Sequence, residues 1–358
     1  MVRLTRVQQQ ARTRASVLAA AREEFAECGF ALAKVDRIAE RAELTRGAVY
    51  SNFPGKKALY LAVLIDLVEK AASGEQAAEV SPATTADALG VFARVWLERL
   101  PLAGDSASGG RLQLRSLDGV LDDERGPAVL AQVARLEALL LALALERGGP
   151  ARQVRLAEVA LTFLDGAGHR AETSPGFGDP FDVAHACRHL AAIDLSDTWA
   201  PPHLPYVAPA RACADAWTAP SGLVDQIRGG PADFADGLVV LLGTDRLGAA
   251  EEAVRSAQPG DQVTLVVVTA DPDVSGRLVR LRVNDVVSCL RRVFAPETWQ
   301  HVRLVLDDEG VVAPAIGVAA VGDDTEVAVR VRDGVIVARA QGLGAGHAAG
   351  AKRREATS

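Results

Sequence analysis

The stretch from residue 29 to residue 57 constrains the fold most, because apolar stripes alternate there with residues that end and begin helices. One stripe at helical spacing precedes it, and Gly29 follows where a glycine commonly ends a helix. After a second, shorter stripe, Thr45 stands where a hydroxyl caps the first turn of another helix. The apolar residues of these stripes are Leu18, Ala21, Phe25, Val35, Ile38, Ala39 and Leu44. The pattern predicts three helices, the last of them short and preceded by a tight turn.

The third of these helices combines small residues with aromatic and polar ones. Together with the helix before it, this segment contains Ile38, Ala39, Thr45, Gly47, Ala48, Val49, Tyr50, Phe53, Lys56 and Leu59. In type and spacing, these residues resemble the signature of TetR-family transcriptional repressors. This resemblance extends over about residues 13–64. The resemblance implies that residues 1–58 form a helix-turn-helix domain that binds double-stranded DNA.

Two features depart from the family pattern. The family usually has threonine or serine where Ala33 and Lys34 stand, and glycine in the turn where Glu43 stands. Lys34 can replace a hydroxyl–phosphate contact with a charge, whereas Glu43 restricts the backbone of the turn. Neither departure removes the expectation of DNA binding.

The charge distribution favours the same function. Residues 1–60 contain eleven Lys and Arg and six Asp and Glu, a net charge of +5, whereas the whole chain carries −7. The other 298 residues therefore carry −12, so the basic surface is concentrated at one end, as in a DNA-binding domain. We expect Arg3, Arg6, Arg12 and Arg14 to form a mobile arm that approaches phosphate or the minor groove. For Arg22 and Arg41, a solvated surface is an equal alternative.

The resemblance and side-chain chemistry together predict a DNA-binding site. Thr45, Tyr50 and Lys56 are expected to contact phosphate and to set the register of the protein on the duplex. The predicted DNA-binding residues are Lys34, Thr45, Arg46, Gly47, Ala48, Tyr50, Ser51, Asn52 and Lys56.

Base recognition is expected from the polar residues of the same helix. Arg46, Ser51 and Asn52 could reach base edges, and Arg46 is the best candidate for a guanine because its guanidinium pairs with O6 and N7. Gly47 and Ala48 are small, which lets the helix approach the groove closely.

The pattern stays helical through residues 59–195, which we assign to a second, all-α domain. Apolar residues recur at helical spacing in segments 57–71, 85–100, 111–121, 127–147, 152–168 and 181–194. Residues 152–168 carry two apolar stripes, so that helix must be covered on two sides. In the family, the last two helices of this domain pair with their two-fold mates. We therefore expect a homodimer that places two recognition helices about 34–36 Å apart on a palindromic operator.

The family's helical domain usually holds a small-molecule effector, which the sequence does not identify. Phe92, Trp96, Phe163 and His169 could line a cavity. A core position is favoured for the three aromatic residues, and a surface or capping position for His169. No ligand-binding residue is assigned.

Residues 196–221 change character, because five prolines fall between positions 201 and 220. We interpret this segment as a linker that packs partly on the region after it, since Trp199 and Trp217 lie within it. From residue 222 the periodicity becomes strand-like. Continuous apolar runs at 238–243 and 262–269 predict buried strands on either side of a helix at 246–257. A third strand is expected at 302–306, followed by a hairpin over 326–340 that turns at Asp333-Gly334.

The order of these elements resembles a thioredoxin-like fold over residues 222–345, with peroxiredoxins and the tail of aromatic-ring flavin hydroxylases as the nearest likeness. The chain is thus expected to be multi-domain: an all-α TetR-like part followed by an α/β thioredoxin-like domain, with a flexible tail at 346–358. Thiol enzymes of this fold carry a cysteine after the first strand, where this chain reads Gly243-Thr244-Asp245-Arg246. The missing cysteine argues against enzymatic activity.

Other chemistry is not indicated. The four cysteines, Cys28, Cys187, Cys213 and Cys289, are scattered without metal-binding spacing, so reduced structural thiols, no metal and no cofactor are expected. No apolar run approaches the ~20 residues of a membrane span, and the basic amphipathic start is unlike a signal peptide. A cytoplasmic location is expected.

Two classes of function remain open. The first is a ligand-responsive, dimeric DNA-binding repressor whose appended domain senses something or extends the dimer. The second is a thioredoxin-like oxidoreductase joined to a DNA-binding head. Recruitment of a partner protein by the appended domain cannot be separated from the first class by sequence.

Overall fold

A computed structural model describes residues 5–74, 76–98, 117, 119–149, 151–174, 176–234 and 236–351. Most of the helix predicted at 111–121, and the end of the one predicted at 85–100, lie outside these residues. The domain boundaries given above therefore stay predictions, and each region is described by its own elements.

The N-terminal head consists of α1 (Arg6–Leu32), α2 (Val35–Arg41) and α3 (Arg46–Tyr50). Thr5 caps α1 in a capping box with Gln8. Gly29 has a φ of +70° and interrupts the helical geometry near the end of α1, so its predicted role as a helix breaker is confirmed. The buried apolar residues of the head are Val17, Ala20, Ala21, Phe25, Ala33, Ile38, Ala39, Val49 and Phe53.

The predicted N-terminal arm is wrong for the residues that the structure describes. Arg6, Arg12 and Arg14 lie within α1 because the Thr5 cap starts that helix earlier than the apolar stripe alone indicates. Arg3 lies outside the described residues.

The helical region contains α4 (Lys56–Ala72), α5 (Thr85–Leu97), α6 (Arg125–Leu145), α7 (Val154–Thr173) and α8 (Pro180–His189). Phe92 and Trp96 are buried with ring centroids 6.0 Å apart, so the predicted core position of these two residues is confirmed. Phe163 differs, because it is 37% exposed on the outer face of α7. His169 is exposed, as predicted.

Among the described helices, α6 has the length and apolarity of a membrane span, contrary to the expectation that no run would approach one. It packs against α7 and α10 (Arg277–Val293), and 61% of its most apolar window is buried. A position inside the core accounts for its composition.

The C-terminal region is a mixed sheet with helices. Its strands are β1 (Arg211–Ala216), β2 (Gly237–Gly243), β3 (Gln262–Val268), β4 (Val302–Leu306), β5 (Glu326–Arg332) and β6 (Val335–Gln341), in the spatial order β1-β6-β5-β2-β3-β4. Strands β2, β3 and β4 are parallel, while the other neighbours are antiparallel. The accompanying helices besides α10 are α9 (Ala250–Ser256), α11 (Val312–Ala315) and α12 (Ala345–Gly350).

The strand predictions rest on two physical features that the structure reproduces. All seven residues of β2 are buried, as expected of a central strand covered on both faces. Asp333 and Gly334 have φ angles of +50° and +71°, which fit the type I′ turn predicted for the β5–β6 hairpin.

Two parts of the predicted organisation need correction. The segment 196–221 is not only a linker, because β1 lies within it and pairs with β6. The tail predicted from residue 346 begins instead as the packed helix α12. A Cβ at Gly346 would lie 2.8 Å from the Cβ of Ala253 in α9. The glycines there permit close packing of two helices, whereas composition alone indicated flexibility.

The sheet region and the helical region share one continuous apolar core. Helix α10 packs against α4, α5 and α6. Trp299 is also buried between the two regions, and its indole Nε1 donates to the carbonyl of Leu140 in the middle of α6 at 3.1 Å. The two regions are therefore packed together and not separated by a free linker.

Candidate nucleic-acid interface

The short helix α3 is built by a cap and a constrained turn. The Thr45 hydroxyl oxygen accepts a hydrogen bond from the Ala48 amide at 3.2 Å, which confirms the predicted N-cap. Before it, Glu43 has a φ of +54°, in the left-handed region that favours glycine. The turn therefore places a non-glycine residue in a left-handed conformation, with a backbone strain of about 1 kcal/mol.

The outer face of α3 presents small and polar residues together. Arg46 is 60% exposed at its side chain and Tyr50 is 39% exposed, while Val49 and Phe53 face the core. Tyr50, at the end of α3, is thus partly exposed, whereas Phe53, three residues after the helix, is buried.

Gly47 is not required by the packing of the head. A Cβ built on it would meet only the Thr45 hydroxyl oxygen at 3.8 Å, an ordinary contact, and its φ lies outside the left-handed region. The fold would therefore accept a larger residue there. The absence of a side chain leaves room on the solvent side of α3.

Arg46 is held in place by two neighbours. Its guanidinium lies 3.3 Å from the Asp36 carboxylate and 3.5 Å from the Tyr50 hydroxyl, and its Cζ is 5.5 Å from the centre of the Tyr50 ring. The hydroxyl of Tyr50 and the carboxylate of Asp36 raise the pKa of Arg46, so the residue stays cationic. To reach a base it must exchange at least one of these partners.

Ser51 and Asn52 fold back onto the end of α3. The Ser51 hydroxyl and the Asn52 amide nitrogen both donate to the Ala48 carbonyl at 2.9 Å. These donors satisfy a carbonyl that the helix end leaves unpaired. The Asn52 nitrogen also donates to the Ser51 hydroxyl oxygen at 3.5 Å, so the donors of both side chains are engaged at the helix end and their oxygens are the atoms left for base edges.

Lys34 and Lys56 occupy different environments. Lys34 is exposed at the N-terminus of α2, and its backbone amide donates to the Glu24 carboxylate at 3.2 Å. The ammonium of Lys56 donates to the carbonyls of Ala31 and Ala33 at 3.2 and 3.3 Å. Lys56 therefore also connects the start of α4 to the end of α1.

Arg41 is part of the head's internal structure. It forms ion pairs with Glu23, Glu24 and Glu27 of α1, at 3.4 Å to Glu23 and 3.3 Å to Glu24. These contacts fix α2 against α1, so Arg41 is not simply a solvated charge.

Two arginines that support α3 from behind have no signal in the local sequence. The guanidinium Cζ of Arg14 lies 4.4 Å from the centre of the Phe53 ring, and that of Arg277 lies 5.5 Å from it. The sequence predicts a mobile arm for Arg14, and Arg277 belongs to a helix more than two hundred residues away. Local pattern therefore misses both contacts.

A second polar site lies at the carboxyl ends of β2 and β3. The Asp323 Oδ1 accepts from the hydroxyls of Thr244 and Thr269, at 2.9 and 2.8 Å, and Asp323 also pairs with Arg125 of α6. Thr244 is fully buried where a thiol enzyme would carry its cysteine. This end of the sheet is closed by internal bonds and faces the helical region.

The four cysteines lie elsewhere, and no disulfide joins any two of them. Cys187 and Cys289 are buried, and burial raises the pKa of the Cys187 thiol to about 12. The thiol of Cys213 donates to the Ile336 carbonyl at 3.3 Å. Among the residues that the structure describes, no group of three or more His, Cys, Asp or Glu could hold a metal ion.

A comparison with known protein families finds a match in the N-terminal head. Residues 17–63 match the family described as bacterial regulatory proteins, tetR family. The match covers α1 from residue 17 onward, all of α2 and α3, and the start of α4. No curated protein matches the chain.

Solved structures of regulators are also similar, over about half of this chain. A TetR transcriptional regulator from Rhodococcus is 18% identical over 51% of this chain and 94% of its own, with a TM-score of 0.31. A TetR-family regulator from Pectobacterium atrosepticum is 22% identical over 53% of this chain and 93% of its own, with a TM-score of 0.32. SmeT, the repressor of the Stenotrophomonas maltophilia multidrug efflux pump SmeDEF, is 24% identical over 50% of this chain and 87% of its own, with a TM-score of 0.32.

Proposed function

We propose that this chain is a DNA-binding transcriptional regulator that inserts α3 into the major groove of double-stranded DNA. The observation that carries the proposal is the exposed face of α3, where Gly47 leaves space that the fold itself does not need. Arg46 and Tyr50 flank that space. The family match of residues 17–63 and the positive charge of the first 60 residues support the same function.

The test is a salt titration of binding to DNA from upstream of the chain's own gene, with random DNA of equal length as the control. A regulator that acts there binds the upstream DNA more tightly, and log K falls steeply with log salt because phosphate contacts release counterions. Equal, weak binding to both DNAs over the whole range would contradict specific regulation from that site.

The proposal also assigns a role in DNA binding to each residue of the site. Thr45 uses its oxygen as the cap acceptor, so its hydroxyl proton can donate to a phosphate, as can Tyr50. Arg46 is assigned to a guanine, and Ser51 and Asn52 to base edges through their acceptor atoms. Lys34 and Lys56 supply positive charge for the backbone, and Ala48 keeps the groove-facing side small.

We also propose a homodimeric repressor that binds a palindromic operator. Supporting this, the outer faces of α7 and α8 and the loop between them expose apolar side chains, namely Val159, Phe163, Phe177 and Phe181. A two-fold partner would bury this face and hold two α3 helices one DNA turn apart. The measurement is molar mass in solution by light scattering.

The proposed regulator responds to a small-molecule effector of unknown identity. A cavity of about 520 Å³ lies between the start of α5 and the end of α6, with Phe294 of the C-terminal region in its wall. Its volume falls within the range of small-ligand sites. An effector would be detected experimentally as a compound that changes the Kd for DNA. Such a compound must bind the DNA-bound and the free conformation of the protein with different affinities.

For the C-terminal region we propose a thioredoxin-like fold without thiol chemistry. The central position of β2, between parallel β3 and antiparallel β5, and the helix between β2 and β3 support this topology. Thr244 at the end of β2 supports the loss of thiol chemistry, because its hydroxyl is bonded to Asp323.

The alternative is an oxidoreductase, or a module that recruits a partner, joined to a DNA-binding head. Reaction with a thiol reagent at neutral pH separates the enzyme from the regulator. A thiol that reacts fast because its pKa is low would favour the oxidoreductase, and four slow thiols would exclude it. We propose that the protein acts in the cytoplasm, where its DNA target lies.

A further inference from the structure

We propose that Arg277, the first residue of α10, is a positioning residue for DNA binding: it holds the recognition helix α3 in place from the C-terminal region without touching DNA. The inference rests on the proposed DNA-binding function. It gives the appended region a role in setting the affinity of the head.

The contacts of Arg277 cross from the C-terminal region to the head. Its Nη1 donates to the Ala58 carbonyl in the first turn of α4 at 2.9 Å. Its Cζ lies 5.5 Å from the centre of the buried Phe53 ring. Phe53 follows α3 by three residues, so Arg277 contacts the segment that joins α3 to α4.

Arg14 is a second arginine that contacts this segment. Its guanidinium lies 4.4 Å from the Phe53 ring centre and donates to the Asn52 carbonyl at 3.3 Å. The Phe53 ring therefore has two cations against it, one from α1 and one from α10. Cation–π contacts that are partly removed from water contribute more than exposed ones.

Arg277 is itself fixed in place. Burial and the neighbouring Arg14 lower the pKa of Arg277, but the Asp273 carboxylate at 2.7 Å opposes that effect and keeps it paired. Asp271 caps the turn before α10 by accepting from the amides of Val274 and Ser275. The guanidinium thus reaches Phe53 from a preorganised helix start.

The rest of α10 is fastened along the helical region. Asn284 donates to Glu69 in α4 at 3.0 Å, Arg282 pairs with Glu137 in α6 at 2.8 Å, and the Ala78 amide donates to the Arg291 carbonyl at 2.8 Å. Because α10 runs along α4 with contacts at both ends, it cannot move independently of that helix. The head is consequently oriented by α4 and α10 together.

Arg277 is badly placed for contact with phosphate, since only 17% of its side chain is exposed. Its removal should therefore loosen the orientation of α3 and not delete an ion pair with DNA. These two effects have different salt dependences, which makes them separable.

The experiment compares the full-length wild type with Arg277→Gln and Arg277→Lys on the upstream DNA and on random DNA, over a range of salt. Arg280→Gln is the matched control, because Arg280 lies one turn further along α10 and pairs with Asp308 inside the C-terminal region at 2.6 Å. We expect Arg277→Gln to raise Kd for the upstream DNA about 3- to 30-fold, the range of positional couplings. The slope of log K against log salt and the binding to random DNA should stay unchanged. Arg277→Lys should recover part of the loss, and Arg280→Gln should bind like the wild type.

Other results would overturn the inference. If Arg277→Gln lowers the melting temperature but leaves Kd unchanged, the residue only stabilises the fold. If the salt slope falls by about one, Arg277 contacts phosphate directly. If the glutamine variant does not fold, Asp273→Asn replaces it in the same DNA-binding comparison, because it keeps the Arg277 guanidinium but removes the carboxylate that holds it. Failure of the wild type to bind specifically would overturn the proposed function as well, whereas equal binding by wild type and variant overturns this inference alone.

Discussion

Single residues around α3 decide what this helix can contact. Thr45 starts it, Ser51 and Asn52 close its end, and Gly47 leaves its middle uncovered. The residues that end the helix are therefore partly occupied before any partner arrives. The open centre, with Arg46 beside it, is the part most available to DNA.

We predict that Gly47→Ala raises stability and weakens DNA binding. An alanine meets no clash in the free protein and is the better helix former, so the free energy of unfolding should rise by about 0.5–1 kcal/mol. The added methyl group blocks close approach to the groove, so specific binding should weaken by about 1–3 kcal/mol, as for overpacked contacts. Gly74→Ala, where a Cβ meets nothing within 4 Å, is the control for a methyl group added outside α3. Unaltered Kd for Gly47→Ala would show that α3 does not approach DNA through this position.

Arg46→Ala and Lys56→Ala should weaken DNA binding in different ways. Loss of a bidentate contact to guanine weakens specific binding by about 1–3 kcal/mol and relaxes sequence preference. Lys56→Ala should weaken binding to specific and random DNA alike, and should also lower stability by about 1 kcal/mol because two carbonyls lose a donor. Kd values for both variants on both DNAs check this, and equal losses for the two variants on both DNAs would refute the assignment.

At the scale of elements, helices α6, α7 and α10 meet at a buried group of charges. Arg282 pairs with Glu137 at 2.8 Å and lies 3.8 Å from Asp165, and Asp285 is also buried there. One guanidinium thus faces three carboxyl groups. Burial raises the pKa of Glu137 from its ordinary 4.5 to about 7, although Arg282 opposes the shift. Partial removal from water raises the pKa of Asp165 as well, although 49% of its side chain is exposed at the edge of this group.

This raised pKa predicts a pH dependence with a definite sign. Between pH 4.5 and 7 the folded protein holds a proton at Glu137 that the unfolded chain releases, so stability falls as pH rises through this range. Glu137→Gln cannot titrate and should remove part of the fall, on the order of 1 kcal/mol between about pH 5.5 and 7.5. Urea unfolding of both proteins at the two pH values measures the difference. Identical pH dependence in wild type and variant would exclude Glu137 as the source.

At the scale of the whole molecule, the C-terminal region is joined to the helical region by a shared core and by ion pairs. Arg255 pairs with Glu146 at 2.6 Å, and Arg152 pairs with Glu251 at 2.7 Å. Each pair joins α9 to the turn between α6 and α7. The proposed dimer uses a different surface, the exposed faces of α7 and α8.

Phe163→Glu is expected to abolish the proposed dimer. Phe163 is 37% exposed on α7, so the substitution should leave the monomer folded while placing a charge in the middle of an apolar interface. Molar mass by light scattering should halve, and binding to a palindromic site should weaken. Tyr206→Glu, at a position that is 88% exposed in the C-terminal region, is the control and should remain dimeric. A Phe163→Glu protein with the wild-type mass would place the interface elsewhere.

Local chemistry made much of the head predictable. The Thr45 cap, the break at Gly29 and the buried face of Ile38 and Ala39 follow from propensity and periodicity within a few residues. The buried strands β2 and β3 and the Asp333-Gly334 turn were predictable for the same reason. The glycine-rich residues 342–350 led to a wrong prediction of a flexible tail. Glycine is common both in flexible segments and where two helices pack closely, so composition alone could not distinguish the two.

The sequence by itself determined most of the local elements of this protein: the capped short helix after a tight turn, the apolar faces of the helices, and the buried central strands. These depend on interactions between near neighbours in the chain. Only the tertiary structure decided that Arg14 and Arg277 flank Phe53, that Asp323 closes the end of β2, and that α10 lies along α4. Such contacts join residues tens to hundreds of positions apart, and their geometry exists only once the whole core has packed.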